Sequence, residues 1–349
     1  MAASRQIPAR GGTMKEAILY TKREDGKAAC VLCSHRCVIA DGKRGVCGVR
    51  VNHDGTLYTL AYGKVIAQHL DPIEKKPLFH FLPGTFSYSV ATIGCNFRCG
   101  FCQNWEISQF RTNGEDFPGK SLSPETAVQE ATKAGCVSIS YTYTEPTIFF
   151  EYAYDIAVLA HEKGIKNVFV TNGYQTPETI EKMTGVIDAA NVDLKSFSDE
   201  FYRKVCSSRL QPILDAIQLM YQAGIHIEVT TLLVPEENDS EDELREIARF
   251  LFDVSPDLPW HISRFYPNYQ QLTTPPTPGE IIRKAVAIGR EQGLRYVFAG
   301  NLPGEGDEDT VCPHCGEVVI ARTGYSIHTL RLKGSRCGDC GTALPIISE

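Results

Sequence analysis

Residues 87–105 read SYSVATIGCNFRCGFCQNW. A short β-rich run ends at Gly94, and the loop that follows sets Cys95, Cys99 and Cys102 in a C-x3-C-x2-C pattern. A structural zinc ion prefers a closed tetrahedron of four protein ligands, so three thiolates leave it one short. An iron–sulfur cube is fully ligated by four cysteines, so three leave one iron open to chelate a small molecule. A zinc ion borrowing a distant fourth ligand, or three unrelated cysteines, are the alternatives. The tight spacing at a strand end favours the cube.

The same kind of β-rich run recurs downstream. VSISYTYT (137–144), NVFVTN (167–172), ANVDLK (190–195), IHIEVTTLLV (225–234), WHISRF (260–265) and RYVFAG (295–300) alternate with helical segments. After Ser240, the spacing of Leu244, Ile247, Ala248 and Leu251 puts apolar side chains on one helical face. Ser240 and Glu243 read as a capping box. Ile213, Ala216, Ile217 and Met220 repeat the period, and Gly224 ends it. Ser123-Pro124 and Thr277-Pro278 read as N-caps followed by first-turn prolines. Seven strands joined by helices predict an α/β fold with a parallel sheet and right-handed crossovers. A full or partial TIM-like barrel and an open doubly wound sheet both satisfy this pattern. Either places active-site groups at the C-terminal ends of strands, where Glu145, Asn172, Asp193, Lys195 and Arg264 stand.

The chain's 349 residues suit two or three domains at roughly 150 residues each. With 43% hydrophobic and 22% charged residues, it is neither a disordered chain, a collagen nor a small disulfide knot. No apolar run approaches the roughly 18 residues of a membrane helix. MAASRQIPARGG lacks the apolar core of a secretory signal, so a cytoplasmic protein is expected. The first thirteen residues, before Met14, read as an extension or an alternative start. Net charge is −7, but residues 1–50 hold ten Lys and Arg against four Asp and Glu. That basic end suits nucleic acid or an acidic protein partner, although a solvated surface is the commoner explanation.

Eleven of the 13 cysteines fall into three clusters, and without an export signal metals explain them better than disulfides. Cys136 and Cys206 stand alone and read as small core side chains. Cys312-x2-Cys315 and Cys337-x2-Cys340, as CPHCG and CGDCG, form a zinc-ribbon pattern, which mononuclear iron also fits. A unit of about 40 residues buries little core, so metal binding would drive its folding. Cys30, Cys33, Cys37 and Cys47 supply a further four ligands, for zinc or an auxiliary iron–sulfur cluster. The expected domains are 1–86, a Cys-rich metal-binding segment; 87–303, the strand-and-helix body; and 304–349, the ribbon.

The loop, with aromatic Phe101 before its last cysteine, resembles the signature of the radical S-adenosylmethionine (radical SAM) enzymes. Over nearly the whole chain from Met14, several segments are similar to the AmmeMemoRadiSam system radical SAM enzymes, relatives of the pyruvate formate-lyase activating enzymes. They are CVLCSHRCVIADGKRGVCGVR, DPIEKKPLFHFLPG, YTYTEPTIFFEY, VFVTNGY, VDLKSFSDEFYRKV and YVFAGNLPG. The resemblance implies a partial TIM-like (β/α)6-type barrel, and a [4Fe–4S] cluster on Cys95, Cys99 and Cys102 whose open iron binds SAM. Reductive cleavage of SAM would give a 5′-deoxyadenosyl radical that abstracts hydrogen from an unreactive carbon. The cofactor supplies that chemistry, and the protein supplies positioning and shelter.

The resemblance places Phe101, Glu145, Asn172, Asp193 and Lys195 at SAM; no catalytic side chain is assigned. An ammonium needs acceptors, which Thr144-Glu145-Pro146 offers, and Lys195 suits a carboxylate. Val170 stands where activating enzymes carry Asp, and Tyr266 where relatives often present His. The segment Asp71–Pro77 precedes the first strand and is expected to pack or dock away from the chemistry, with His80 structural. The implied partners are a ferredoxin- or flavodoxin-type electron donor and Memo-like and AMMECR-like proteins. Glycyl-radical activation, RNA modification and a non-enzymatic metal scaffold are the rival functions.

Overall fold

The computed structural model describes residues 7–9, 12–110, 117–302 and 307–348. Residues 1–6 and 10–11 of the N-terminal extension and 303–306 of the acidic connector lie outside these. All seven β-rich runs form strands: β2 (Phe86–Thr92), β3 (Ser138–Tyr141), β4 (Lys166–Thr171), β5 (Ala189–Asp193), β6 (His226–Leu233), β7 (Trp260–Arg264) and β8 (Val297–Gly300). They pair in parallel and in sequence order. A preceding strand, β1 (Lys64–Pro72), lies antiparallel to β2, with Asp71 opposite Ser87. The boundary expected at 86/87 therefore falls inside the main sheet.

Parallel strands buried on both faces become continuous apolar runs, and Ser138–Tyr141 and Ala189–Val192 are buried throughout. The crossovers are α1 (Pro124–Lys133), α2 (Phe150–His161), α3 (Pro177–Met183), α4 (Gln211–Gln222), α5 (Glu241–Val254) and α6 (Gly279–Glu291). Residues on or just beyond all seven parallel strands line one cavity: Cys95, Thr142, Thr171, Asp193, Thr230, Ser263 and Gly300. One cavity shared by every strand fits a sheet curled into a partial barrel. Among the described residues β8 does not pair with β2, so the sheet does not close; its seven parallel strands match the seven runs, where the resemblance implied six.

Two helix starts differ from expectation. Ser240 caps α5 by accepting from Glu243 N, but the Glu243 carboxylate turns to Ser196 Oγ and Phe197 N, so only half the capping box forms. Thr277 is no cap: its hydroxyl donates to Leu233 O at 2.6 Å and accepts from Phe265 N, tying two strand ends together. Helix α6 starts after Pro278 instead.

The segment after β1 doubles back across the barrel interior. Ile73, Leu78, Phe81 and Leu82 pack on Val168 of β4 and Ala189 of β5. Glu228 of β6 accepts from Phe79 N and His80 N at 2.9 and 2.7 Å. The C-terminal unit, built on the hairpin β9 (Val318–Thr323) and β10 (Ser326–Leu330), covers this plug. Arg322 Nη2 donates to Phe79 O at 2.6 Å and Leu82 N to Ile347 O at 2.6 Å. His80 is wholly buried in the seam beside Tyr296 and Thr310, and burial lowers its pKa to about 3. Among the described residues no helix is long and apolar enough to cross a membrane.

Candidate active site

At the C-terminal ends of the strands lies a cavity of about 800 Å³, the size range of small-molecule and cofactor sites. Cys95, Cys99 and Cys102 all line it. The loop leaves β2 through Gly94, at φ +101°, where an added Cβ would stand 2.9 Å from Val49 Cγ1. Phe97 N points at Cys95 Sγ (3.3 Å), and Ser108 Oγ lies 3.1 Å from Cys102 Sγ. Burial pushes the Cys95 and Cys102 thiols up, so they stay protonated until a cation displaces the proton. Three soft sulfurs facing one cavity, with hydrogen bonds directed at them, fit an iron–sulfur cluster.

Cys206, which stands alone in the sequence, is buried in the main core as expected and also touches the loop. A wide turn at Tyr202–Cys206, closed by left-handed Ser207 (φ 56°), brings its sulfur to 3.5 Å from Cys99 Sγ. Arg98 N donates to Cys206 O at 2.9 Å, fastening the turn to the loop. The sulfur contact is the first cause, ahead of burial, of a Cys99 pKa well above the usual thiol value. Nothing in the sequence links positions more than a hundred residues apart. Cys206→Leu should destabilise the protein by about 1–3 kcal/mol through overpacking against Cys99, with Cys206→Ala costing less. Urea denaturation tests this, and equal midpoints for the two variants would contradict the contact.

The polar groups expected at the strand ends converge on the same cavity. Glu145 is buried and heavily engaged: Oε1 accepts from Thr147 N, Thr147 Oγ1 and Thr171 Oγ1, and Oε2 from Asn172 N at 2.8 Å. Oε2 keeps one lone pair. Burial raises the Glu145 pKa against these donors. Asn172 Nδ2 donates to Asn96 Oδ1 at 2.7 Å, bracing the residue next to Cys95. Lys195 pairs with Asp193 at 2.7 Å, and its ammonium lies 5.9 Å from the centre of the Phe101 ring. Burial alone would discharge Lys195, but the Asp193 carboxylate outweighs it and holds the ammonium charged. Arg264 turns instead to Thr277 O (2.7 Å), and Tyr266, 40% exposed, binds Asn301 O.

The segment Asp71–Pro77 was expected far from this chemistry, and the structure corrects that. Glu74, Lys75 and Lys76 line the cavity because the chain reverses after Pro72. Lys76 is 2% exposed, pairs with Asp71 at 2.6 Å and lies over the Tyr143 ring. Burial, partly opposed by Asp71, lowers its pKa to about 8. The turn of the C-terminal hairpin adds Thr323, Gly324 and Tyr325 to the cavity wall.

The Cys312, Cys315, Cys337 and Cys340 sulfurs lie within 4.8 Å of one another. The Cys312–Cys340 and Cys315–Cys337 separations are 3.7 and 3.8 Å. A tetrahedron with metal–sulfur bonds of about 2.3 Å has an edge of about 3.8 Å, so one ion fits. Cys312→Ala should release residues 307–348 to protease while the barrel stays folded. Unchanged resistance would show that the unit needs no metal. Cys30, Cys33, Cys37 and Cys47 line a second, smaller pocket. Cys136 is buried in the main core.

Residues 89–251 match the Radical SAM superfamily. An uncharacterized protein of Methanocaldococcus jannaschii is 44% identical over 337 residues, 96% of this chain and 100% of that protein. The pyruvate formate-lyase-activating enzyme of Clostridium pasteurianum is 23% identical over 172 residues, 46% of this chain and 67% of that enzyme. The benzylsuccinate synthase activating enzyme of Thauera aromatica is 24% identical over 149 residues, 40% of this chain and 44% of that enzyme. With the three-cysteine loop at the mouth of a parallel barrel, these likenesses agree: the chain belongs to the radical SAM superfamily and is related to the pyruvate formate-lyase-activating enzymes.

Proposed function

We propose that Cys95, Cys99 and Cys102 hold a [4Fe–4S] cluster and that SAM docks on its open iron within the cavity. When bound, the pair supplies a 5′-deoxyadenosyl radical that takes a hydrogen atom from a substrate carbon. The observation that carries this reading is three thiols, one buried and two half-buried, facing one cavity that Glu145 and Lys195 also line. Oε2 of Glu145 offers an acceptor for SAM's ammonium, and charged Lys195 offers a partner for its carboxylate. Asn172 braces the loop through Asn96, and Phe101 gives an apolar wall that excludes water. Zinc suits the closed C-terminal set.

The substrate is a small molecule or a side chain of a partner protein. A second reading, activation of a glycyl-radical enzyme, is favoured by likeness to a Methanocaldococcus jannaschii protein named as a putative glycyl-radical enzyme activating enzyme. We take a ferredoxin- or flavodoxin-type protein as electron donor, Memo-like and AMMECR-like proteins as companions, and the cytoplasm as the setting. The test is anaerobic reconstitution with iron and sulfide, then reduction in the presence of SAM. 5′-Deoxyadenosine should form, and deuterium from the true substrate should enter it. An unpaired electron left on a partner's glycine would select the second reading, and a loaded protein that leaves SAM intact would refute both.

A further inference from the structure

We propose that Lys76, with Lys75 beside it, forms the subsite that receives the substrate and takes an oxyanion there, the carboxylate or phosphate of a small molecule. The inference deepens the small-molecule reading proposed above and rests on it. Asp71 of β1 accepts from four donors: Lys75 Nζ at 2.8 Å on Oδ1, and on Oδ2 Lys76 Nζ at 2.6 Å, Ser89 Oγ at 2.9 Å and the Tyr143 hydroxyl. Those four fill the carboxylate's lone-pair sites. Burial would raise the Asp71 pKa, but the bonds from Lys75, Lys76 and Tyr143 hold it well below the usual carboxylate value. One negative charge thus answers two ammonium groups, and the cluster keeps a surplus positive charge in the cavity wall.

An ion pair that served the fold alone would need one cation for one carboxylate, and the more exposed Lys75 already supplies it. Lys76 is nevertheless buried, at the desolvation cost that any buried charge carries. Its ammonium has three donors and gives one to Asp71. Its other contact among the described residues is the face of the Tyr143 ring, 4.7 Å from the centroid. Glu74, the nearest acidic neighbour in sequence, does not cancel the surplus: its carboxylate turns to Gly84 N at 2.8 Å.

Tyr143 is the second observation. Its φ of 64° is a left-handed backbone that bulky residues seldom adopt, and such strain persists where the surroundings enforce it. Here Asn104 Nδ2 donates to its carbonyl at 2.9 Å, Asp71 takes its hydroxyl, and His69 meets its ring edge-on at 5.6 Å. Burial and the Asp71 bond raise the phenol's pKa, so it stays a donor. Tyr143 stands two residues before Glu145, the acceptor offered to SAM's ammonium, and all of Lys75, Lys76, Tyr143 and Glu145 line the one cavity. Its volume of about 800 Å³ lies high in the range of roughly 300–1,000 Å³ for ligand sites, which leaves room for a small molecule beside SAM. A backbone glycine would bring no anion to this place, so the subsite also separates the two functional readings.

The experiment uses the full chain, reconstituted anaerobically and given SAM but no reductant, with cyanate as the labelling reagent and peptide mass spectrometry as the readout. Cyanate is a small anion that carbamylates uncharged amines, and burial, partly opposed by Asp71, makes that form of Lys76 available near pH 8. Lys76 should take the label, and inorganic phosphate or acetate should abolish it while exposed Lys163 keeps its rate. Protection by phosphate alone assigns a phosphate, and protection by acetate alone a carboxylate. A Lys76 that takes no label, or takes it whatever the anion, would overturn the subsite. By calorimetry, Lys76→Met should weaken binding of the protecting anion at least about tenfold, the loss of one charge-assisted hydrogen bond, and Lys76→Arg should retain it. Unchanged affinity in Lys76→Met would overturn the subsite as well. Asp71 keeps Lys75, Ser89 and Tyr143 in both variants, and if Lys76→Met fails to fold the labelling decides alone. Since no step here needs reduction, failure of SAM cleavage would count against the proposed function and leave anion binding standing.

Discussion

Changing any one of Cys95, Cys99 or Cys102 to alanine should bring 5′-deoxyadenosine formation to background. Altering groups that merely support a metal ligand costs about 10–100-fold. Losing a ligand should therefore cost more than about 100-fold. The three sulfurs come from one loop whose backbone Arg98 fixes by donating Nη1 to Cys95 O and Phe97 O at 2.8 and 2.7 Å. The substitutions should accordingly leave the barrel folded, which far-ultraviolet circular dichroism would confirm. Iron analysis of the same samples separates loss of the cluster from loss of SAM binding. A variant that still cleaved SAM would remove this loop from the chemistry.

Glu228→Ala should lower the stability of the barrel by about 3–5 kcal/mol, the cost of breaking a buried charged network. The carboxylate is wholly buried and accepts from Phe79 N, His80 N, His226 Nε2 (3.1 Å) and His261 Nε2 (2.6 Å). Removing it leaves four donors without an acceptor and frees the plug from β6. Burial opposes ionisation of Glu228, yet the bonds from His226 and His261 hold its pKa well below the usual carboxylate value. A depressed folded pKa contributes stability above the unfolded value of about 4.3, and this is lost as pH falls through the folded value. The gap between wild type and variant should therefore be full at neutral pH and shrink in acid. Urea midpoints across that range test both points, and a loss below about 1 kcal/mol at neutral pH would contradict the network.

Every parallel strand was legible in the sequence because strands buried on both faces announce themselves as unbroken β-rich runs. The cysteine loop was legible because its spacing is local. What escaped was set by tertiary contact. β1 carries Gln68, His69 and exposed Leu70 between its buried ends, so it reads as no strand until β2 lies beside it. Its reversal at Pro72 is what sends Lys76 into the cavity rather than below the barrel. Cys206 reaches Cys99 only through a wide turn whose geometry the residues Tyr202–Cys206 do not advertise. Glu243 had a better-placed partner in Ser196 than the cap it was expected to complete.

The hairpin tip bearing Thr323, Gly324 and Tyr325 makes one wall of the cavity part of the small fold whose four sulfurs are spaced to grip one ion. Loss of an ion held there would loosen the wall and let solvent and oxygen reach the space where a carbon radical would have to survive. Supply of one metal would thereby govern the safety of chemistry performed by another.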